Sequence, residues 1–224
     1  MVVLEANFIS HFMEPVDVPD QKDVDRFLPK VNLPQRFDID NPGYLAAVVN
    51  QTQYRDFKQL SQEAMYVALE KAEKVDREFG SFFGRSYGLV EAQDLADAEL
   101  VLVTSATITS TARAALKQLR EKGHKIGLLK IRLFRPFPTA HIRKLLDPVR
   151  KIAVIDRNIS LGREGIFCSE LKAALCNSPV KKQIQGYLAG IGGTDVDVDL
   201  IQRIVSDALA RDEFLDRPIW MKEE

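Results

Sequence analysis

The chain has 224 residues, 46% of them apolar, and its 31 Lys and Arg against 32 Asp and Glu leave a formal net charge of −1. That length fits one large domain or one domain with a substantial arm, and the mixed charge offers no basic stripe for nucleic acid. The longest apolar runs fall well short of the roughly 18–20 residues a membrane span needs, and the opening MVVLEANFIS has no basic stretch like that of a secretory signal.

In chain order, Val2–Phe12 (VVLEANFISHF) reads as a strand. Its placement stays open: an edge strand of this domain, or a strand that closes another sheet or pairs with a partner. His11 at its end reads as structural rather than catalytic. Glu14–Gly43 is punctuated by Pro15, Pro19, Pro29, Pro34 and Pro42. Prolines so spaced predict an extended but ordered arm, because each disfavours helix at the residue before it. One short helix is predicted at Gln21–Phe27, capped by Asp20, with Val24, Phe27 and Leu28 available to dock on an apolar surface.

Tyr44–Phe79 is predicted as one long helix with a break near Asn50. Phe57, Leu60, Ala64, Val67 and Ala68 keep the helical period, and a mixed-charge face opposite them suits a covering helix. Gly80–Gly88 (GSFFGRSYG) is read as a glycine-interrupted aromatic loop. It lacks both the GxGxxG order and the lysine of a phosphate loop.

Glu99–Pro138 is the stretch around which the rest is organised. Glu99–Thr104 has the continuous Val and Leu run of a strand buried on both faces. Thr107–Lys122 carries Ile108, Ala112, Ala115, Leu116 and Leu119 on one helical face, and Gly123 ends it. Ile126–Leu133 is a second strand, stopped by Pro136 and Pro138. Strand, helix, strand at this length predicts a parallel crossover unit.

Beyond it, Thr139 is expected to cap a helix Ala140–Leu146. Lys151–Ile155 is a third buried strand, with Asp156 at its end, and a helix follows at Ile166–Cys176. Lys182–Leu188 is a fourth strand. GIGGTD (Gly190–Asp195) is a tight turn, and Val198–Leu209 is a last helix capped by Asp195 or Asp197. Trp220 in the tail is expected to dock somewhere. The whole predicts an α/β fold: an open, mostly parallel sheet with helices on both faces, preceded by an extended N-terminal arm and a long helix. The expected division is 1–88 for the N-terminal strand, arm and helix, 89–212 for the α/β domain, and 213–224 for the tail.

In such sheets ligands sit at the carboxyl ends of the strands. There the sequence places TSATITS, LFRPFP, DRNISLGREG and GIGGTD. Three constellations suggest chemistry. Asp156 and Arg157 would form a carboxylate–guanidinium pair. Arg163–Glu164, between Gly162 and Gly165, would grip an anion at a helix N-terminus. Ser105, Thr107 and Thr109 would do the same at the helix before. Turn chemistry and capping account for each loop at least as well. No serine sits in a GxSxG elbow and no histidine lies near a strand end, so no nucleophilic triad is indicated. With three histidines and no CxxC, a structural zinc or iron–sulfur site in this chain is not expected. Cys168 and Cys176 lie eight residues apart in a predicted helix, about 12 Å, too far for a disulfide. They read as reduced thiols of a cytoplasmic protein.

Four runs carry a family resemblance: GRSYGLVEAQDLADAELVLV, LREKGHKIGLLKIRLFRPFP, KIAVIDRNISLGREG and GYLAGIGGTDV. Together they resemble the alpha subunit of 2-oxoacid:ferredoxin oxidoreductases, most closely those acting on pyruvate, with the α/β part similar to the transketolase C-terminal domain. LEANFISHFMEPVDVPDQKDVDRFLP looks like the place where that family's pyrimidine-binding domain ends and its arm begins. TSATITS departs from relatives that have a glycine after the first strand. The resemblance implies oxidative decarboxylation of a 2-oxoacid to acyl-CoA and CO₂, with electrons passing to ferredoxin. It implies thiamine diphosphate, Mg²⁺ and iron–sulfur clusters in the assembled enzyme, with the aminopyrimidine activated by the pyrimidine-binding domain and the diphosphate, Mg²⁺ and an iron–sulfur cluster held by a beta subunit, and it implies partner subunits of beta, gamma and delta type. No position of this sequence matches the catalytic, cofactor-binding or metal-binding residues of the family. The expectation is therefore a scaffold and interface piece that binds no cofactor alone, touching its neighbours through Phe27, Leu28, Pro29, Phe134, Arg135, Pro136 and Phe137. The alternative from another class is a free-standing α/β interaction or anion-binding module.

Overall fold

The computed structural model describes residues 3, 10–33, 38–43 and 48–222. Most of the strand-like run Val2–Phe12 lies outside the described residues, as does the start of the helix predicted from Tyr44. Two compact units are present, Glu14–Ser86 and a second that carries everything from Tyr87 onward.

In the first unit, α1 is Gln21–Phe27 and α2 is Gln51–Phe83. Asp20 precedes α1 as predicted, but its side chain caps nothing; its carbonyl accepts from Asp23 and Val24 N–H instead. Asn50 marks the start of the described helix. It is the N-cap of α2, accepting from Gln53 N–H while the Gln53 side chain accepts from Asn50 N–H, a reciprocal box that satisfies two orphan donors. At the far end, Gly80–Phe83 form the last helical turn rather than a loop, and Gly84 closes the helix at φ +73°. The reason is aromatic packing: Phe27 lies 5.7, 5.6 and 5.3 Å from the rings of Phe79, Phe82 and Phe83.

The second unit is a six-stranded sheet: β1 Val90–Gln93, β2 Leu100–Thr104, β3 Ile126–Ile131, β4 Lys151–Asp156, β5 Gln183–Leu188 and β6 Ile219–Trp220. Their spatial order is β1-β3-β2-β4-β5-β6. β1 pairs antiparallel with β3, and every other neighbouring pair is parallel. The mostly parallel sheet expected from the sequence is therefore present, flanked by two further edge strands.

Four helices cover the sheet: α3 Ile108–Glu121, α4 Thr139–Leu146, α5 Ile166–Leu175 and α6 Val198–Ala210. Strand alternation divides the core. Leu100, Leu102, Ile126, Leu128 and Ile155 face α3 and α6, whereas Val101, Val103, Leu129, Ile152 and Val154 face α4 and α5. All five residues of β2 are buried, as a central strand covered on both faces requires. α3 stops at Lys122, where Gly123 takes φ +92° and His124 N–H returns to the Leu119 carbonyl. Thr139 is the first residue of α4 and not its cap, since Pro138 occupies the N-cap position. Asp197 rather than Asp195 caps α6, accepting from Leu200 N–H at 2.7 Å.

The C-terminal tail docks by joining the sheet. β6 pairs with β5, and Phe214, Ile219 and Met221 pack against the α3/α6 side of the core.

Candidate functional site

The chain leaves β2 towards β3 on one side and leaves β4 towards β5 on the other. The carboxyl ends of β2 and β4 therefore flank the topological switch point, the place where an open α/β sheet has a crevice. Three loops meet there: Ser105–Thr107 after β2, Arg157–Gly165 after β4 and Ala189–Thr194 after β5.

Asp156 ends β4 and is fully buried. Its Oδ1 accepts from Phe167 N–H and its Oδ2 from Cys168 N–H, each at 3.0 Å, and the Asn158 amide donates to Oδ1 at 3.2 Å. Asn158 Oδ1 in turn accepts from Ile166 N–H at 2.8 Å. Those three N–H groups belong to the first turn of α5. Gly165, the N-cap of α5, has no side chain to cap with, so the strand's own carboxylate does the work from across the loop. A Cβ at Gly165 would overlap Asp156 far inside van der Waals contact, which is why glycine stands there although its φ of −61° suits any residue. Burial pushes the Asp156 carboxyl above its ordinary range, against its backbone and amide donors, and the charge of nearby Glu164 pushes the same way.

The expected Asp156–Arg157 pair does not form. Successive residues of a strand point to opposite faces. Arg157 turns instead to the next loop, its Nε donating to the Gly190 carbonyl at 3.2 Å and its Nη1 to Thr107 Oγ1 at 3.4 Å. Arg157 thus ties together the loops after β2, β4 and β5. Gly190 is at φ +74°, and a Cβ there would meet Arg157 Nε at 2.8 Å, so a side chain would break this tie.

Arg163 and Glu164 diverge: Arg163 is exposed and Glu164 buried. Glu164 folds inward and accepts from Lys172 Nζ at 2.6 Å, with Cys168 Sγ and Ser169 Oγ each at 3.3 Å. Burial alone would raise its carboxyl, but the donors of Lys172, Cys168 and Ser169 hold it below its usual value. Burial drives the Cys168 thiol far upward, so it is a hydrogen-bond donor and not a nucleophile. Cys168 and Cys176 are both free. At the β2 end, Thr109 turns into the core and shares a 3.0 Å hydrogen bond with Thr104, while Thr109 and Ser110 N–H lean on Ala106 and Thr107 carbonyls.

The three helix N-termini at this edge therefore have first-turn donors engaged within the chain: α3 by carbonyls, α5 by Asp156 and Asn158, α6 by Asp197. A diphosphate would have to displace these groups, and among the described residues no cluster of three His, Cys, Asp or Glu is placed to hold a metal ion. Local spacing could not reveal the Asp156 cap, because its donors lie eleven and twelve residues downstream. The signal was negative: a helix entered from glycine, with no Ser, Thr, Asp or Asn at its N-cap.

Of the candidate contact residues, Phe27 is part of the aromatic cluster of α2, whereas Leu28 and Pro29 are exposed. Phe134 packs edge-on against Phe167 at 5.1 Å and against Phe137 at 6.5 Å. Phe137 also reaches the α4/α5 core. Arg135 lies exposed over the Phe134 ring and pairs with Glu170, and Pro136 is half-buried between them in the chain.

Comparison with known proteins places these loops in context. The family model "Pyruvate:ferredoxin oxidoreductase core domain II" matches residues 98–201. Pyruvate synthase subunit PorA of Methanothermobacter thermautotrophicus is 37% identical over 92% of this chain and 52% of its own length. Ketoisovalerate oxidoreductase subunit VorA of Pyrococcus abyssi is 36% identical over 92% of this chain and 53% of its own length. The chain spans about half the length of these curated relatives. Among solved structures, 2-oxoglutarate:ferredoxin oxidoreductase from Magnetococcus marinus is similar at a TM-score of 0.43 and 17% identity, over 62% of this chain and 23% of that one.

Proposed function

Because the chain belongs to the alpha-type subunits of the 2-oxoacid:ferredoxin oxidoreductases, we propose that it serves such an enzyme as a scaffold and subunit-contact piece. The reaction is oxidative decarboxylation: a 2-oxoacid and coenzyme A give acyl-CoA and CO₂, and two electrons pass to ferredoxin. Pyruvate is the proposed 2-oxoacid, on the strength of PorA relatives that are pyruvate synthase subunits. Thiamine diphosphate, Mg²⁺ and iron–sulfur clusters belong to other parts of the assembly in this reading, and beta-, gamma- and delta-type subunits are its partners. A cytoplasmic location accompanies it; among the described residues no helix is long and apolar enough to cross a membrane.

One observation carries the scaffold role. Asp156 occupies the N-terminus of α5 at the switch point, the position where an anionic cofactor would otherwise be held. Side chains that close the crevice turn it into a rigid support for loops that other polypeptides can contact. Within it, Asp156 fixes the start of α5, Arg157 links three loops, and Lys172 neutralises Glu164.

The test is co-expression with beta-, gamma- and delta-type subunits, followed by size-exclusion chromatography with light scattering. The expected result is stoichiometric co-elution, with pyruvate- and coenzyme-A-dependent reduction of ferredoxin found only in the assembly. A well-behaved monomer that ignores every one of these subunits would overturn the proposal in favour of a free-standing module.

A further inference from the structure

Beside the edge strand β6, the loop after β4 and the C-terminal segment enclose an open groove of about 510 Å³. Ile159, Pro218 and Ile219 line it with the exposed side chains of Trp220, Arg163 and Arg217. Trp220 is 56% exposed, and Leu161 in the adjoining loop is 88% exposed. Arg211, which also lines the groove, is held by Asp207 in a two-pronged pair at 2.6 and 2.7 Å. Arg163 and Arg217 have no carboxylate partner among the described residues, and no Asp or Glu lines the groove.

Two guanidinium groups with no carboxylate partner among the described residues, set around an exposed indole, are what a binding surface offers and what a merely solvated one does not need. Tryptophan and arginine carry most of the energy at protein interfaces, and guanidinium forks match carboxylates. A second copy of this chain is a poor occupant. A two-fold contact through this patch would set Arg163 and Arg217 against their own copies. The exposed apolar area also runs past the groove to Leu161, which favours a protein over a small anion.

We propose that this groove seats an acidic protein segment, with Asp or Glu side chains flanking an aliphatic or aromatic residue, carried by a partner subunit. The inference rests on the subunit role proposed above and adds the site and the chemistry of the contact.

Trp220 is the sole tryptophan of the sequence. Replacing it biosynthetically with 5-hydroxytryptophan in this chain alone lets it be excited apart from the tryptophans of co-assembled beta-, gamma- and delta-type subunits. The expected result is an acrylamide quenching constant that falls about threefold or more on assembly. The variant R163E/R217E, at exposed positions and checked for an unchanged melting curve, should associate at least about tenfold more weakly. Assembly that leaves the indole as quenchable as before, or that proceeds unchanged in R163E/R217E, overturns the groove as the contact while the subunit role stands. Absence of any assembly overturns both. Protection by a short DNA oligonucleotide but by none of the subunits overturns the proposal in favour of a phosphate ligand.

Discussion

Gly165→Ala isolates the contact on which the carboxyl edge depends. The backbone at Gly165 has φ −61° and ψ 145°, which alanine adopts without strain, so the whole cost is steric. The new methyl group would fall on Asp156 Cβ, Cγ and Oδ2. Overpacking of this kind costs about 1–3 kcal/mol if the surroundings yield. The surroundings here yield by moving the Asp156 carboxyl off the N–H groups of Phe167 and Cys168, and each such hydrogen bond is worth about 0.5–1.5 kcal/mol net. The substitution is therefore expected to destabilise by about 3–5 kcal/mol, a large share of a typical stability of roughly 5–15 kcal/mol. For a domain of this size that lowers Tm by about 10 °C. Urea unfolding followed by circular dichroism reads the effect as a lower midpoint at constant slope. The double variant supplies the control: once Asp156→Gly has removed the whole side chain, Cβ included, adding Gly165→Ala should cost less than about 1 kcal/mol. A single variant within about 0.5 kcal/mol of the wild type, or an equal cost in both backgrounds, refutes the reasoning.

Burial raises the Asp156 carboxyl in the folded state, so its contribution to stability is complete below its unfolded pKa and lost as pH rises through the folded value. Asp156→Asn cannot ionise, and its deficit against the wild type should shrink as pH rises above about 4 in parallel urea titrations; a deficit that grows with pH contradicts this. Lys172→Met strands Glu164, which is only 4% exposed, and should cost about 3 kcal/mol at pH 7. Adding Glu164→Gln should recover part of that loss, whereas a purely additive pair would show that the two do not interact. Ellman's reagent should titrate Cys176 in the native protein and reach Cys168 only on unfolding, because Cys168 is buried with its thiol held protonated. Two fast thiols in the native state would contradict that burial.

The parallel core was legible because its signals are local and strong. β2 and β4 are unbroken apolar runs, and α3 shows a clear three-and-four spacing ended by Gly123. The edges were less so. β1, VEAQ, is four residues with its last two exposed, and β6 is two residues long, so neither rises above its surroundings without the neighbour it pairs with. Gly80 and Gly84 looked alike in sequence, yet one lies inside α2 and the other ends it. Phe27, more than fifty residues upstream, makes the difference by packing on Phe79, Phe82 and Phe83. At the candidate site the loops were placed correctly, but the pairing within them was not. Asp156 with Arg157 and Arg163 with Glu164 are neighbours in sequence whose side chains serve different partners, and those partners are set by tertiary structure.

The central claim is that this chain supports chemistry performed elsewhere in its assembly. Calorimetric titration of thiamine diphosphate with Mg²⁺ into the purified chain tests it most directly. The account predicts no saturable heat from the chain alone, because its helix N-termini at the carboxyl edge are already engaged. Stoichiometric binding at micromolar concentration, abolished by substitutions at that edge, would contradict it.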